Sequence, residues 1–212
     1  MGTGRRDARG RGKARRGGGV RAALDTLHGR LRLLVGLVSA MWVEELVDTV
    51  LGGRLDGLGI RPRVVEGLTG VPLAPFLHVG FGHLAANTVP LLVLGAWILL
   101  RGRAIFAAVT SFVVATGGLG VWLVGGAGTV HLGASGLVFG WLGFAMLVGL
   151  VERRILSALG SLVVARVYGA ALVGVLPGVP GISWESHLAG FLSGALAAWL
   201  FARRDAGPRR AA

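Results

Sequence analysis

Six apolar stretches dominate the chain and constrain its fold more than any other feature. They run from Leu33 to Leu51, Leu84 to Leu100, Ile105 to Val124, Ser135 to Val151, Ile155 to Leu176 and His187 to Ala202. Each is close to the ~20 residues that an α-helix needs to cross a ~30 Å hydrocarbon core. The composition agrees: 53% hydrophobic and only 15% charged is too apolar for an ordinary soluble domain. The expectation is therefore an all-α, polytopic membrane protein with six transmembrane helices over residues 33–202. A disordered basic leader (1–32) and a short basic tail (203–212) flank that domain.

Charge sets the expected orientation. The leader through Arg32, then Arg101 with Arg103, Arg153 with Arg154, and Arg203, Arg204, Arg209 and Arg210 fall on one side of a six-span layout, leaving Arg54, Arg61 and Arg63 on the other. Basic loops stay in the cytoplasm, so both termini are expected there, in a bacterial cytoplasmic membrane. The net charge of +12 raises nucleic acid as a partner. The leader arginines, however, have neither a fold nor interleaved aromatics around them, and suit attraction to anionic lipid instead. A cleaved signal peptide at "LLVGLVSA" is disfavoured, because the apolar pattern resumes at Met41 and losing one span spoils the charge pattern. Lack of cysteine removes disulfides and thiolate metal sites. Glu44, Glu45 and Asp48 are costly inside the first span; Glu44 and Asp48 share a face and are expected to turn inward or lie near the outer surface. Arg166 in the fifth span has no functional account from sequence.

Depth singles out a set of polar residues. With ~1.5 Å of rise per residue, His83 stands about 27 Å above Arg101, Ser135 about 27 Å above Arg153 and His187 about 24 Å above Arg203. All three sit on even-numbered spans that run the same way, at the helix N-terminal ends just inside the outer edge of the bilayer. Asn87 lies one turn below His83 on the same face. Polar groups at such a depth face the bundle interior or a wet cavity, so convergence is expected. A serine with a histidine in reach forms an activated nucleophile and its base, while an amide and a second imidazole can donate to an oxyanion. The start of a helix at Ser135 adds free N–H groups and the positive end of the dipole. Taken singly, each residue has a plainer role: Ser135 as an N-cap, His83 and Asn87 as interhelical hydrogen-bonders. "GASG" alone says little in a chain with 38 glycines. Glycine stripes on the fourth span (Gly136, Gly140, Gly143) and on the sixth (Gly190 and Gly194, on the face of His187) permit close approach of these two helices, with or without chemistry.

Together "GASG" at 133–136, "HVGFGHLAAN" at 78–87, "SHLAGFLSG" at 186–194 and "GIRPRVVEGLTGVPLAPFLHVGFGHL" ahead of the second span resemble the rhomboid family of intramembrane serine proteases. The likeness covers about Glu44 to Ala202. It implies Ser135 as nucleophile and His187 as general base. His83, Asn87 and the Ser135 backbone amide would form the oxyanion hole, His78 would be more structural, and Gly133 would leave room at the site. Phe139 matches a position where some members carry a tyrosine stacked on the catalytic histidine; phenylalanine keeps the stacking and loses the hydroxyl. No third member of a triad is evident, since Glu185 points away from His187 on a helix, yet the imidazole needs an orienting group. His131 reads as a water or substrate contact or a solvated loop residue.

The loop at 125–134 must dip to meet the fourth helix, and irregular backbone at that depth has to be covered by protein or line a wet cavity. The connection from Gly52 to Gly82 is expected beside it. The implied substrates are other transmembrane proteins, within membrane lipid, with no metal or organic cofactor. Three other classes place different demands on the sequence. A transporter would place paired charges or broken spans near the midplane. A non-proteolytic rhomboid-like protein that binds transmembrane clients would lack the serine or the histidine. A soluble α/β-hydrolase would need G-x-S-x-G on a strand-to-helix turn, where residue 137 is Leu. Oligomeric state is not legible.

Overall fold

The computed structural model describes residues 7–178 and 181–205, with side chains for 28–178 and 181–202. The expected leader and tail thus fall largely outside the described side chains. The chain forms α1 (Asp7–Val50), a one-turn α2 (Gly70–Leu73), α3 (Phe81–Leu99), α4 (Arg103–Val124), α5 (Ser135–Glu152), α6 (Ile155–Tyr168), a 3-10 segment (Gly169–Val175) and α7 (Trp184–Asp205). Among the described residues there is no strand, only an isolated bridge between Ile60 and His131.

Each expected span coincides with a helix, but α1 starts at Asp7, inside the leader, and not where the apolar run begins. Among the described residues, four segments are long and apolar enough to cross a membrane: α3, α4, α5 and Ile155–Val175. The first and sixth expected spans are helical too. They are less apolar because α1 carries Glu44, Glu45 and Asp48, and α7 opens with Glu185 and His187. In α1 the inward face is Met41, Glu45 and Asp48, spaced for one side of a helix. Asp48 turns inward as expected, but Glu45 joins it, at 2% exposure, while Glu44 is only half-buried. Asp48 Oδ1 accepts the Leu55 N–H at 2.6 Å, tying the helix to the loop that follows. Arg166 is exposed in the last turn of α6, where a cation favours the negative end of the helix dipole.

α5 is the central post of the bundle. Every residue from Leu137 to Ala145 is buried, as expected for a helix that is apolar on all sides and surrounded by others. Trp141 and Phe144 fill the middle of the core with Leu84, Leu91, Leu94 and Ile98 of α3. The glycine stripes meet as expected. A Cβ at Gly190 would run into the Gly136 carbonyl, and one at Gly194 into the Gly140 carbonyl, so α5 and α7 touch backbone to backbone. At the opposite end of the bundle, Arg101 pairs with Glu152, which also accepts from Ser157.

The 52–80 connection is pinned to the C-terminal end of α4 and to the 125–134 loop. Arg63 donates to the Leu123 and Gly125 carbonyls at 3.0 and 2.9 Å, and Trp122 Nε1 to the Val64 carbonyl at 2.8 Å. Ile60 and His131 exchange backbone bonds at 2.8 and 2.9 Å, and Gly133 N donates to Ala74 O at 2.8 Å. The irregular backbone before α5 is therefore covered by protein that satisfies its polar groups, the condition for such backbone at membrane depth.

Candidate active site

The chain enters α5 through Gly133 and Ala134. Gly133 has φ of 112°, a conformation that favours glycine, and a Cβ there would sit 2.6 Å from His83 Cε1. Both constraints make it the residue that admits the His83 ring beside the start of α5. Ser135 is the first residue of α5 and is half-buried. Phe139, one turn on, stacks against the His187 ring with centroids 4.1 Å apart and planes 9° apart. The stack places the His187 imidazole, 9% exposed, along the same helix that begins with Ser135, and the Gly136–Gly190 contact is what lets α7 come so close.

His83 lies in the first turn of α3, half-buried, its ring edge-on to that of His78 at 5.3 Å. Asn87 is buried, and one of its amide N–H groups donates to the His83 carbonyl at 3.1 Å; the other remains as a donor. Ser135, His83, Asn87, Gly133, Phe139 and His187 thus gather at one end of α3, α5 and α7.

His78 stands apart in role. Its Nδ1 donates to the Phe76 carbonyl at 3.1 Å, and its Nε2 accepts the Ala134 N–H at 3.2 Å. A carbonyl accepts only, so the ring is neutral with its proton on Nδ1. Burial lowers its pKa to about 4, and its bonding is that of a strut holding the residue before Ser135. Asp56, in the 52–80 connection, has its carboxyl pKa raised by burial and by Asp48, with nearby His83 acting the other way.

His131 is not a solvated loop residue. It is 5% exposed, with Nε2 against Thr129 Oγ1 at 2.7 Å and Nδ1 against Ser183 Oγ at 2.6 Å. Ser183 continues to Ser186 at 2.8 Å, so His131 ties the glycine-rich loop to the start of α7, and burial lowers its pKa. A cavity of about 40 Å³, lined by His131, Gly133, Gly136, Ser186 and Gly190 among others, lies alongside the start of α5; it is large enough to hold a water.

Sequence reasoning missed Gly174. Its carbonyl accepts the His187 Nδ1–H at 2.9 Å, across a connection that carries no periodic or motif signal. No group of three or more His, Cys, Asp or Glu side chains among the described residues could hold a metal ion.

Comparison with known proteins shows the family. The model of the Rhomboid domain matches residues 64–204. An uncharacterized protein of Mycobacterium tuberculosis (strain H37Rv) is 44% identical over 175 residues, 79% of this chain and 73% of the relative. Another, from Mycobacterium leprae, is 42% identical over 185 residues, 81% and 73% of the two chains.

Proposed function

Because the chain belongs to the rhomboid family of multi-pass membrane proteins, we propose that it is an intramembrane serine endopeptidase working with a Ser135–His187 dyad. The observation that carries this is the His187 ring stacked on Phe139, one turn from Ser135, on helices whose glycines allow backbone contact. Ser135 Oγ attacks the scissile carbonyl while His187 takes its proton and later gives it to the leaving amine; water then hydrolyses the acyl-enzyme. The Ser135 N–H, His83 and Asn87 donate to the oxyanion at the start of α5, where the helix dipole favours negative charge. Gly133 gives His83 its place, and Gly190 and Gly194 hold α7 against α5. The cavity beside Gly136 has room for a water, with His131 and Ser186 as its polar lining.

The substrates are other membrane proteins, cut in or near a transmembrane segment, with surrounding lipid as the second partner. The proposed layout is six spans over 33–202, both termini cytoplasmic and the site opening outward.

A cleavage assay tests the activity. Purified protein in detergent is mixed with a labelled single-span substrate bearing a small-residue cleavage site, beside Ser135→Ala and His187→Ala. Cleavage lost in both variants, with folding intact, is the expected outcome. Cleavage by Ser135→Ala at the wild-type rate overturns the dyad. No cleavage, together with no labelling of Ser135 by a fluorophosphonate in lipid, favours a client-binding role.

A further inference from the structure

A Ser/His pair leaves one requirement open: something must hold the imidazole in the tautomer that can accept the serine proton, a task that falls to a carboxylate in a triad. No carboxylate bonds His187 here. Its Nδ1 lies 2.9 Å from the main-chain oxygen of Gly174. A carbonyl has no proton to give, so the bond exists only with the proton on Nδ1, which leaves Nε2 as the lone-pair nitrogen.

The contact depends on glycine for space. Gly174 has no positive φ, so backbone freedom is not what position 174 requires. A Cβ there would lie 3.1 Å from His187 Nδ1 and 3.2 Å from Phe139 Cζ, tighter than an ordinary contact, so the stacked rings or the 3-10 segment must give by a few tenths of an ångström. Phe139 on one face and Gly174 O at the ring edge therefore fix the imidazole in tilt and in tautomer. Both are supplied without an ionised partner in an apolar surrounding, where burying a carboxylate would be costly.

On the footing that Ser135 and His187 are nucleophile and base, we propose that Gly174 is a positioning residue for the reaction: its carbonyl, brought in by the 3-10 segment after α6, is the orienting group of the dyad. Proton transfer then runs through Nε2 alone, while the Nδ1–H bond stays in place as the ring becomes cationic and returns to neutral.

Two measurements decide this. The chain has only five histidines, so ¹⁵N imidazole spectra are tractable, with the His187 signals identified by their loss in His187→Ala. The wild type is expected to carry its His187 proton on Nδ1, and Gly174→Ala to give a mixture of tautomers. Gly174→Ala is also expected to lower kcat about 10- to 100-fold, the usual cost of losing an orienting partner of a histidine, with KM changed less than about twofold. Val173→Ala, an exposed change on the same segment, should leave both constants as they are. A wild-type His187 protonated on Nε2 overturns the proposal, even if Gly174→Ala does not fold. So does a folded Gly174→Ala with wild-type kcat. If Ser135→Ala or His187→Ala still cleaves, the dyad itself is wrong, an outcome separable from these because the spectrum still reports which nitrogen of His187 holds the proton.

Discussion

α5 and α6 follow one another in the chain, joined at Arg153 and Arg154, and both are apolar enough to span a bilayer; yet 61% of the spanning window of α5 is buried against 11% for Ile155–Val175. Hydropathy does not separate them. What does is the use made of their glycines. In α5, Gly136, Gly140 and Gly143 meet the backbone or side chains of α4 and α7, whereas in Ile155–Val175 only Gly174 is crowded: a Cβ at Gly160 would touch Trp97 at an ordinary 3.5 Å, and one at Gly169 would meet nothing within 4 Å. Leu156, Leu162 and Val163 of α6 face outward, as lipid-contacting residues do. Ser135, the proposed nucleophile, begins the helix surrounded by protein. The peripheral segment contributes one backbone carbonyl, at the end nearest the site.

The comparison is sharpest in activity. If the start of α5 is an oxyanion site, His83→Ala should lower kcat about 10²- to 10³-fold with little change in folding, whereas alanine at His28, remote in sequence from the site, should not. Equal loss in both variants would break the assignment of chemistry to the α5 end. Stability comes next. Gly194→Ala forces a methyl into the Gly140 carbonyl, and should cost about 1–3 kcal/mol or prevent folding, read as the melting temperature in detergent.

A smaller effect concerns the strut at His78. Burial holds its pKa at about 4 in the folded protein, against the ordinary 6.5. As pH falls, the unfolded chain takes up that proton first. The contribution is therefore whole above about 6.5 and is lost between 6.5 and 4. His78→Asn keeps a donor and an acceptor but cannot titrate, so its stability should fall less steeply across that window. His131, also held down by burial, adds the same slope to both proteins. The smallest effect is expected at the periphery: Gly169→Ala should shift stability by no more than about 0.5 kcal/mol. A Gly169→Ala protein as damaged as Gly194→Ala would mean that α6 is held as tightly as α5.

Particular residues mark where the sequence was and was not legible. Ser135 as the first residue of a helix, and His83 and Asn87 four apart near the start of another, followed from where apolar runs begin and end. Glu45 did not follow: three acidic residues within five positions leave the inward face open until Met41 and the neighbours of α1 choose it. His131 looked solvated because its partners, Ile60 and Ser183, lie 71 and 52 residues away. Gly174 looked like one more small residue in a glycine-rich chain.

The sequence by itself determined where the apolar helices lie, four of them among the described residues long and apolar enough to cross a membrane, because crossing hydrocarbon is a local demand that any run of about twenty apolar residues meets or fails on its own. It also determined that small residues line the two helices that meet, since only glycine permits that approach. The tertiary structure decided which carbonyl the His187 ring meets, which carboxylates of α1 are buried and which loop covers the entrance to α5. Those are questions of which groups come within hydrogen-bonding distance across long stretches of chain, and distance of that kind is set by packing alone.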